Sequence, residues 1–456
     1  MATDAPPSGL VSRVGGLAGL TPSGRAIVPL AWALYDFANT IFSYAVVSVA
    51  IGLWLTDASR FGRAEGQLIQ GIAIAVSVGL NAIVSPVLGA LSDRGGRRLP
   101  FLLRFTVMCI VPTVLIGFSP PLVGVLLFIV ANFAYQAALI YYDATLTVVS
   151  RPSTRGKLSG IGVAIGYMGT IFVALVLIVL GATPEQTFLV AGVLFAVFAA
   201  PIFLIVREPV TSAARVTGRD VMESLGQLRL TIEHARSVPW LGRFLLGRFF
   251  YSDAVNTLIV VMSVVAVRAM GMTSTQFLLL SLMLTVVAIV TSFFWGWLAD
   301  RWGPKRALIA VLSSWSVGLF LGTVSLGYPG TLIGTVVFVI AGAILGSGLG
   351  GVQVTDRVLM VRLSPKERLG EFFGIYGLVG KASQVAGSLI YGVIVFLFVD
   401  RFGNLAYQIA VLSLFATMLV GLWLVWPVRD DVQGLDDTEP DAGVPPQPRP
   451  IWDQPA

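Results

Sequence analysis

Residues 32–41 read WALYDFANTI. The run is apolar except at Asp36, Asn39 and Thr40, whose i, i+3 and i+4 spacing places them on one face of a helix. An ionised carboxylate is costly in hydrocarbon, so such a residue usually faces a bundle interior or a watery path. The pattern Asp-x-x-Asn-Thr returns far downstream at Asp253, Asn256 and Thr257. Two copies imply a duplicated membrane bundle with a polar centre.

Composition agrees with that reading. Of 456 residues, 56% are hydrophobic and 12% charged, and the mean hydropathy is +0.86. A soluble domain carries roughly twice that charged fraction. The net charge of +6 raises nucleic acid as a partner, but the basic residues sit in short connections between apolar runs. That pattern fits the positive-inside rule, and no nucleic-acid partner is expected. The single cysteine, Cys109, and the single histidine, His234, exclude a disulfide framework and a cysteine or histidine metal cluster. No metal and no cofactor are expected.

Apolar runs predict an all-α membrane protein of twelve transmembrane helices in two pseudo-symmetric six-helix bundles. The helices are expected near 29–55, 67–91, 99–118, 121–149, 158–181 and 186–206, then 240–268, 275–298, 305–327, 331–361, 371–398 and 405–427. Residues 1–28 read as a disordered cytosolic tail and 429–456 as a disordered acidic one. The first bundle is expected over 29–206 and the second over 240–428. The polar linker 207–239 between them is expected to carry a short amphipathic surface helix. Arginines and lysines crowd the connections after helices 2, 4, 8 and 10 and the central linker. Both termini are therefore expected in the cytosol of a cell whose cytoplasmic membrane holds the protein.

The halves repeat position by position. GALSDRGGRR at 89–98 is echoed by GWLADRWGPKR at 296–306, which aligns Asp93 with Asp300. Asp143 and Asp356 each precede a proline by nine residues and an arginine by twelve. Internal duplication with sites at the repeat interface is the logic of secondary transporters.

The doubled G-x-L-x-D-R-x-G motif resembles the cytosolic loop signature of the major facilitator superfamily. Three further stretches resemble bacterial relatives of the vacuolar amino-acid effluxers linked to autophagy. They are WALYDFANTIF at 32–42, SGIGVAIGYMG at 159–169 and FFGIYGLVGKAS at 372–383. The resemblance implies alternating access between two six-helix halves. It also implies a cytosolic latch built from Asp93, Arg94, Arg97, Arg98 and Asp143 in one half and Asp300, Arg301, Arg306 and Asp356 in the other. At position 143 the family is expected to carry asparagine, so Asp143 is a departure.

The residues themselves nominate a central cavity set. Asp36 and Asp253 suit a proton- or cation-linked pair, with Asn39, Thr40, Asn256 and Thr257 as polar walls. Lys381, about ten residues into helix 11, suits a substrate carboxylate or a counter-ion role toward an aspartate. Gln136 shares a polar stripe on helix 4 with Asn132, Asp143 and Thr147. The alternative for the aspartates is a permanent ion pair, with Arg248 or Lys381 as partner. Gly346, Gly348 and Gly351 satisfy G-x-G-x-x-G inside an apolar helix, where close helix packing explains them better than a dinucleotide. Trp32, Trp54, Trp240 and Trp302 are expected as interfacial anchors.

These features point to a monomeric secondary active transporter for a small organic solute, amino-acid-like by resemblance and coupled to a proton or another ion. A cation-coupled sugar or glycoside symporter and a non-transporting solute receptor are the alternatives. Without a G-x-x-x-x-G-K-[ST] loop, ATP hydrolysis is unsupported. Without G-x-S-x-G or H-E-x-x-H, so is an enzyme.

Overall fold

The computed structural model describes residues 27–94, 98–150, 155–208, 238, 240–364 and 369–429. Twelve long helices account for nearly all of them, in the order expected: α1 Ile27–Leu55, α2 Gly62–Arg94, α3 Leu99–Ile116, α4 Pro121–Val149, α5 Arg155–Leu180 and α6 Pro184–Ile205, then α7 Leu241–Ala269, α8 Ser274–Trp302, α9 Pro304–Ser325, α10 Leu332–Leu363, α11 Leu369–Phe402 and α12 Asn404–Val425. Eleven carry an apolar stretch long enough to cross a membrane, and α5 is apolar over Ala164–Leu180. The linker helix and the tails anticipated from sequence lie outside the described residues.

Local chemistry sets the helix ends. Thr183 and Thr273 open α6 and α8 as reciprocal capping boxes with Gln186 and Gln276, which satisfies amide groups that have no partner inside the helix. Gly303, at φ +83°, makes the turn from α8 to α9, a backbone region that side chains disfavour. That explains the glycine in DRWG.

Packing follows a two-fold relation. The α1–α5, α1–α6, α2–α4, α3–α4 and α3–α6 contacts of the first half recur as α7–α11, α7–α12, α8–α10, α9–α10 and α9–α12 in the second. Between halves, α2 packs extensively on α11, and the related α5–α8 contact is smaller.

Two departures from sequence reasoning stand out. First, α1 and α7 are not uniform. Phe42–Ala50 and Val265–Ala269 are wound as π-helix, a form found mostly at functional sites. Second, Trp32 and Trp54 are buried rather than interfacial, at 3% and 1% exposure. Trp32 stacks on Tyr142 at 4.7 Å and donates to Thr145 Oγ1 at 3.1 Å. Trp54 lies under Arg60. Each indole finds more contact inside the bundle than at a headgroup layer. Trp302 is exposed as expected.

Candidate functional site

The central feature is built twice. On α1, Asp36 and Thr40 point at Gly166 of α5, where a Cβ would stand 2.8 Å from Asp36 Oδ2 and 3.1 Å from Thr40 Oγ1. On α7, Asp253 and Thr257 point at Gly387 of α11, where a Cβ would collide with both side chains. In each half a carboxylate and a hydroxyl one turn apart are seated against a glycine of the fifth helix. The glycines are required because the two polar groups occupy the space a side chain would fill.

The copies differ in surroundings. Asp36 is half-buried and lies within electrostatic reach of Asp143. Asp253 is 3% exposed and Thr257 fully buried. Asp253 Oδ1 and Thr257 Oγ1 have no hydrogen-bond partner among the described residues. Neither aspartate has a basic partner within ion-pair distance among them.

Above Thr40 a cavity of about 300 Å³ separates the halves. One wall, from α1 and α5, offers the hydroxyls of Thr40, Ser43, Tyr44, Ser48, Tyr167 and Thr170. The facing wall, from α7, α8 and α10, is mainly apolar, with Leu258, Ile259, Met262, Leu284 and Leu345, and adds Ser281 and Thr285. The π-helical winding of α1 carries Ser43, Tyr44 and Ser48 along this wall; Ser48 Oγ donates five residues back to the Ser43 carbonyl at 3.1 Å. Of the expected cavity set, Thr40 alone lines this space. Asn39, Asp253 and Thr257 are buried in helix packing, and Gln136 and Asn256 are half-buried.

Lys381 departs from its expected role as counter-ion. Its ammonium crosses from α11 to α2 and donates to Asn81 Oδ1 at 2.6 Å and Ser85 Oγ at 2.8 Å. The extensive α2–α11 packing carries it to that flank, and it forms no ion pair with either aspartate.

The latch residues also divide. Asp93, Arg94 and Arg97 have side chains outside the described residues. Arg98 donates to the Ala144 carbonyl at 2.6 Å, and the backbone amides of Arg98 and Leu99 donate to Glu208 at 2.6 and 2.8 Å. Glu208, absent from the sequence-derived set, thereby caps α3. Asp300, Arg301 and Arg306 are exposed. Asp356 does not face these loop arginines. It is 1% exposed and is held by Arg248 of α7, by Tyr251 at 3.4 Å and by Tyr376 at 2.8 Å. The Arg248 guanidinium also lies 3.4 Å from the Tyr376 ring centroid. Burial requires a charge partner close by, and α7 stands nearer than the loop. Its repeat counterpart Asp143 is exposed and within electrostatic reach of Arg357 on the opposite half.

Besides the Lys381 bonds, further polar contacts join the halves toward the Asp57 end. Arg268, at the end of α7, donates to the Leu53 carbonyl at 3.1 Å, Thr56 Oγ1 at 3.3 Å and Asp57 Oδ2 at 3.3 Å. Tyr44 hydrogen-bonds Ser281, and Gln70 donates to the Val260 carbonyl at 3.4 Å. Asp57 lies beyond the helix end. The Ser59 hydroxyl and amide, with Arg268, hold its carboxylate below the usual range. At the opposite end Asp143, Gln353 and Arg357 are exposed. Polar bonds thus tie the halves at the Asp57 end, while these three side chains are exposed at the other.

Two related six-helix halves around a central polar site define a multi-pass membrane transporter of the major facilitator type. The chain belongs to the family described as "Vacuole effluxer Atg22 like", whose model matches residues 69–434. It is 27% identical over 388 residues to an "Uncharacterized MFS-type transporter YxiO" of Bacillus subtilis (strain 168), covering 79% of this chain and 87% of that protein. Autophagy-related protein 22 of Coccidioides immitis (strain RS) is 24% identical over 424 residues, covering 74% and 69%. Among solved structures, a point mutant of the nucleoside transporter NupG superimposes with a TM-score of 0.70 at 13% identity over 88% of this chain and 99% of that one. A D-xylose-proton symporter gives 0.66 at 15% identity over 88% and 96%. At these identities the structural likeness shows the fold.

Proposed function

We propose that the protein is a secondary active transporter that moves an amino-acid-like solute across the cytoplasmic membrane by alternating access, coupled to protons, with both termini in the cytosol. The observation that carries this reading is the duplicated carboxylate–hydroxyl pair, Asp36–Thr40 and Asp253–Thr257, seated once in each half, with Thr40 on the wall of the cavity between them. A carboxylate without a basic partner inside an apolar bundle is costly unless it serves a transported charge. With the termini inside, the Asp57 end is external. Asp143 and Arg357, of opposite charge and on opposite halves, are exposed at the other end. That arrangement suits a zwitterion, which carries both charges.

A second reading, a cation-coupled sugar or glycoside symporter, is favoured by the lining of the cavity, which is rich in hydroxyls and carries no charge. A thermal-shift screen of the purified protein over amino acids, short peptides and neutral sugars separates the two. Stabilisation by amino acids, lost in Arg357→Gln and Asp143→Asn, supports the first reading. Selective stabilisation by sugars that is unchanged in both variants supports the second.

A further inference from the structure

A second concave site lies far from the central cavity, where the start of α7 meets the end of α12. Arg243 stands in the first turn of α7. Its Nε donates to the Leu424 carbonyl at 3.0 Å, and its guanidinium carbon lies 5.5 Å from the Trp423 ring centroid. The first contact satisfies a carbonyl that the helix end leaves unpaired; together they fix the plane of the guanidinium. Among the described residues no carboxylate pairs with Arg243 and no acceptor takes its terminal amino groups. Beside it runs an open groove of about 590 Å³, floored by Leu419, Leu422 and Pro427 and flanked by Trp423 and Trp426. The two indoles are 67% and 61% exposed.

A transmembrane helix that ends in exposed tryptophans places them at the headgroup layer. There a held guanidinium faces phosphate depth while the leucine floor faces acyl depth. We propose that this groove binds a phospholipid with an anionic headgroup, its phosphate on Arg243 and an acyl chain along Leu419 and Leu422. Free phosphate would use only the arginine, and a neutral hydrocarbon only the floor. A phospholipid matches both. This inference rests on the membrane fold and not on the proposed transport reaction.

The test is native mass spectrometry of the full-length protein, extracted from vesicles of equimolar phosphatidylglycerol and phosphatidylcholine. The wild type retains phosphatidylglycerol in preference by about fivefold, the ratio one basic residue near an anionic surface is worth. Arg243→Gln loses the preference. If that variant fails to fold, Trp426→Ala, which alters only the exposed flank, lowers the total lipid retained. Equal retention of the two lipids by the wild type overturns the proposal, as does a preference unchanged in Arg243→Gln, or lipid retention unchanged in Trp426→Ala where it is the variant read. Displacement of the lipid by millimolar inorganic phosphate also overturns it, because the site then takes the anion alone. So does retention seen only in Asp430→Asn/Asp431→Asn, which would make the chain's own acidic end the occupant.

Discussion

Arg248 on α7 and Asp356 on α10 form an ion pair buried inside the second half, with side chains 13% and 2% exposed. The repeat places Asp143 at the equivalent position of the first half, where it is exposed and faces Arg357 across the interface. Duplicated carboxylates have thus diverged. One holds its own half together, and the other is left to act between halves.

Removing one partner of the buried pair leaves the other charge uncompensated. Arg248→Ala or Asp356→Asn is expected to destabilise the protein by about 3–5 kcal/mol. Asp143→Asn, at an exposed position, is expected to stay within about 0.5 kcal/mol. Thermal unfolding in detergent checks this. Equal losses for Asp356→Asn and Asp143→Asn would mean that the divergence has no energetic meaning.

The glycine seats are expected to tolerate no side chain. Gly387→Ala drives a methyl group into Asp253 and Thr257, and Gly166→Ala crowds Asp36 and Thr40. Overpacking of this kind costs about 1–3 kcal/mol, and Gly387→Ala is expected to cost more. Gly374 and Gly377, with open space at the Cβ position, serve as controls whose alanine variants should keep transport. A Gly387→Ala protein with wild-type stability and transport would count against the seat.

The bonds at the Asp57 end are expected to part during transport. A short thiol cross-linker across Asp57→Cys/Arg268→Cys should stop transport, and cleaving it should restore transport; the native Cys109 is buried and does not compete. Because the Asp57 carboxylate is held below the usual range, its contribution is present above about pH 4 and is lost only as pH falls through that lowered value. In the unsubstituted protein, the stability that rests on this pair should therefore be flat from about pH 5 to 8 in thermal unfolding. Full transport by the cross-linked protein would show that this end does not move.

Much of the fold is legible in the sequence because hydrocarbon imposes simple demands. Apolar runs of span length gave α1 to α12, and the recurrence of Asp36 at Asp253 exposed the two-fold repeat. The site was read less completely. Composition carries no mark of the π-helical winding that places Ser43, Tyr44 and Ser48 on the cavity wall. Nothing in the depth of Lys381 along α11 shows that helix packing turns it toward Asn81 and Ser85. The small-residue stretch at 159–169 did contain part of the missing signal in Gly166, whereas Gly387 lies just past the stretch at 372–383; both glycines have meaning only beside the aspartates they seat. Trp32 and Trp54 misled because position along a span does not say which way an indole points.

The most direct test is uptake of a radiolabelled amino-acid mixture into proteoliposomes under an imposed pH gradient, comparing wild type, Asp36→Asn and Asp253→Asn. The expected result is accumulation by the wild type and its loss in at least one variant, by about a hundredfold or more as for removal of a proton-transfer group, while exchange of solute without a gradient persists. Full gradient-driven accumulation in both variants would contradict a coupling role for the duplicated aspartates.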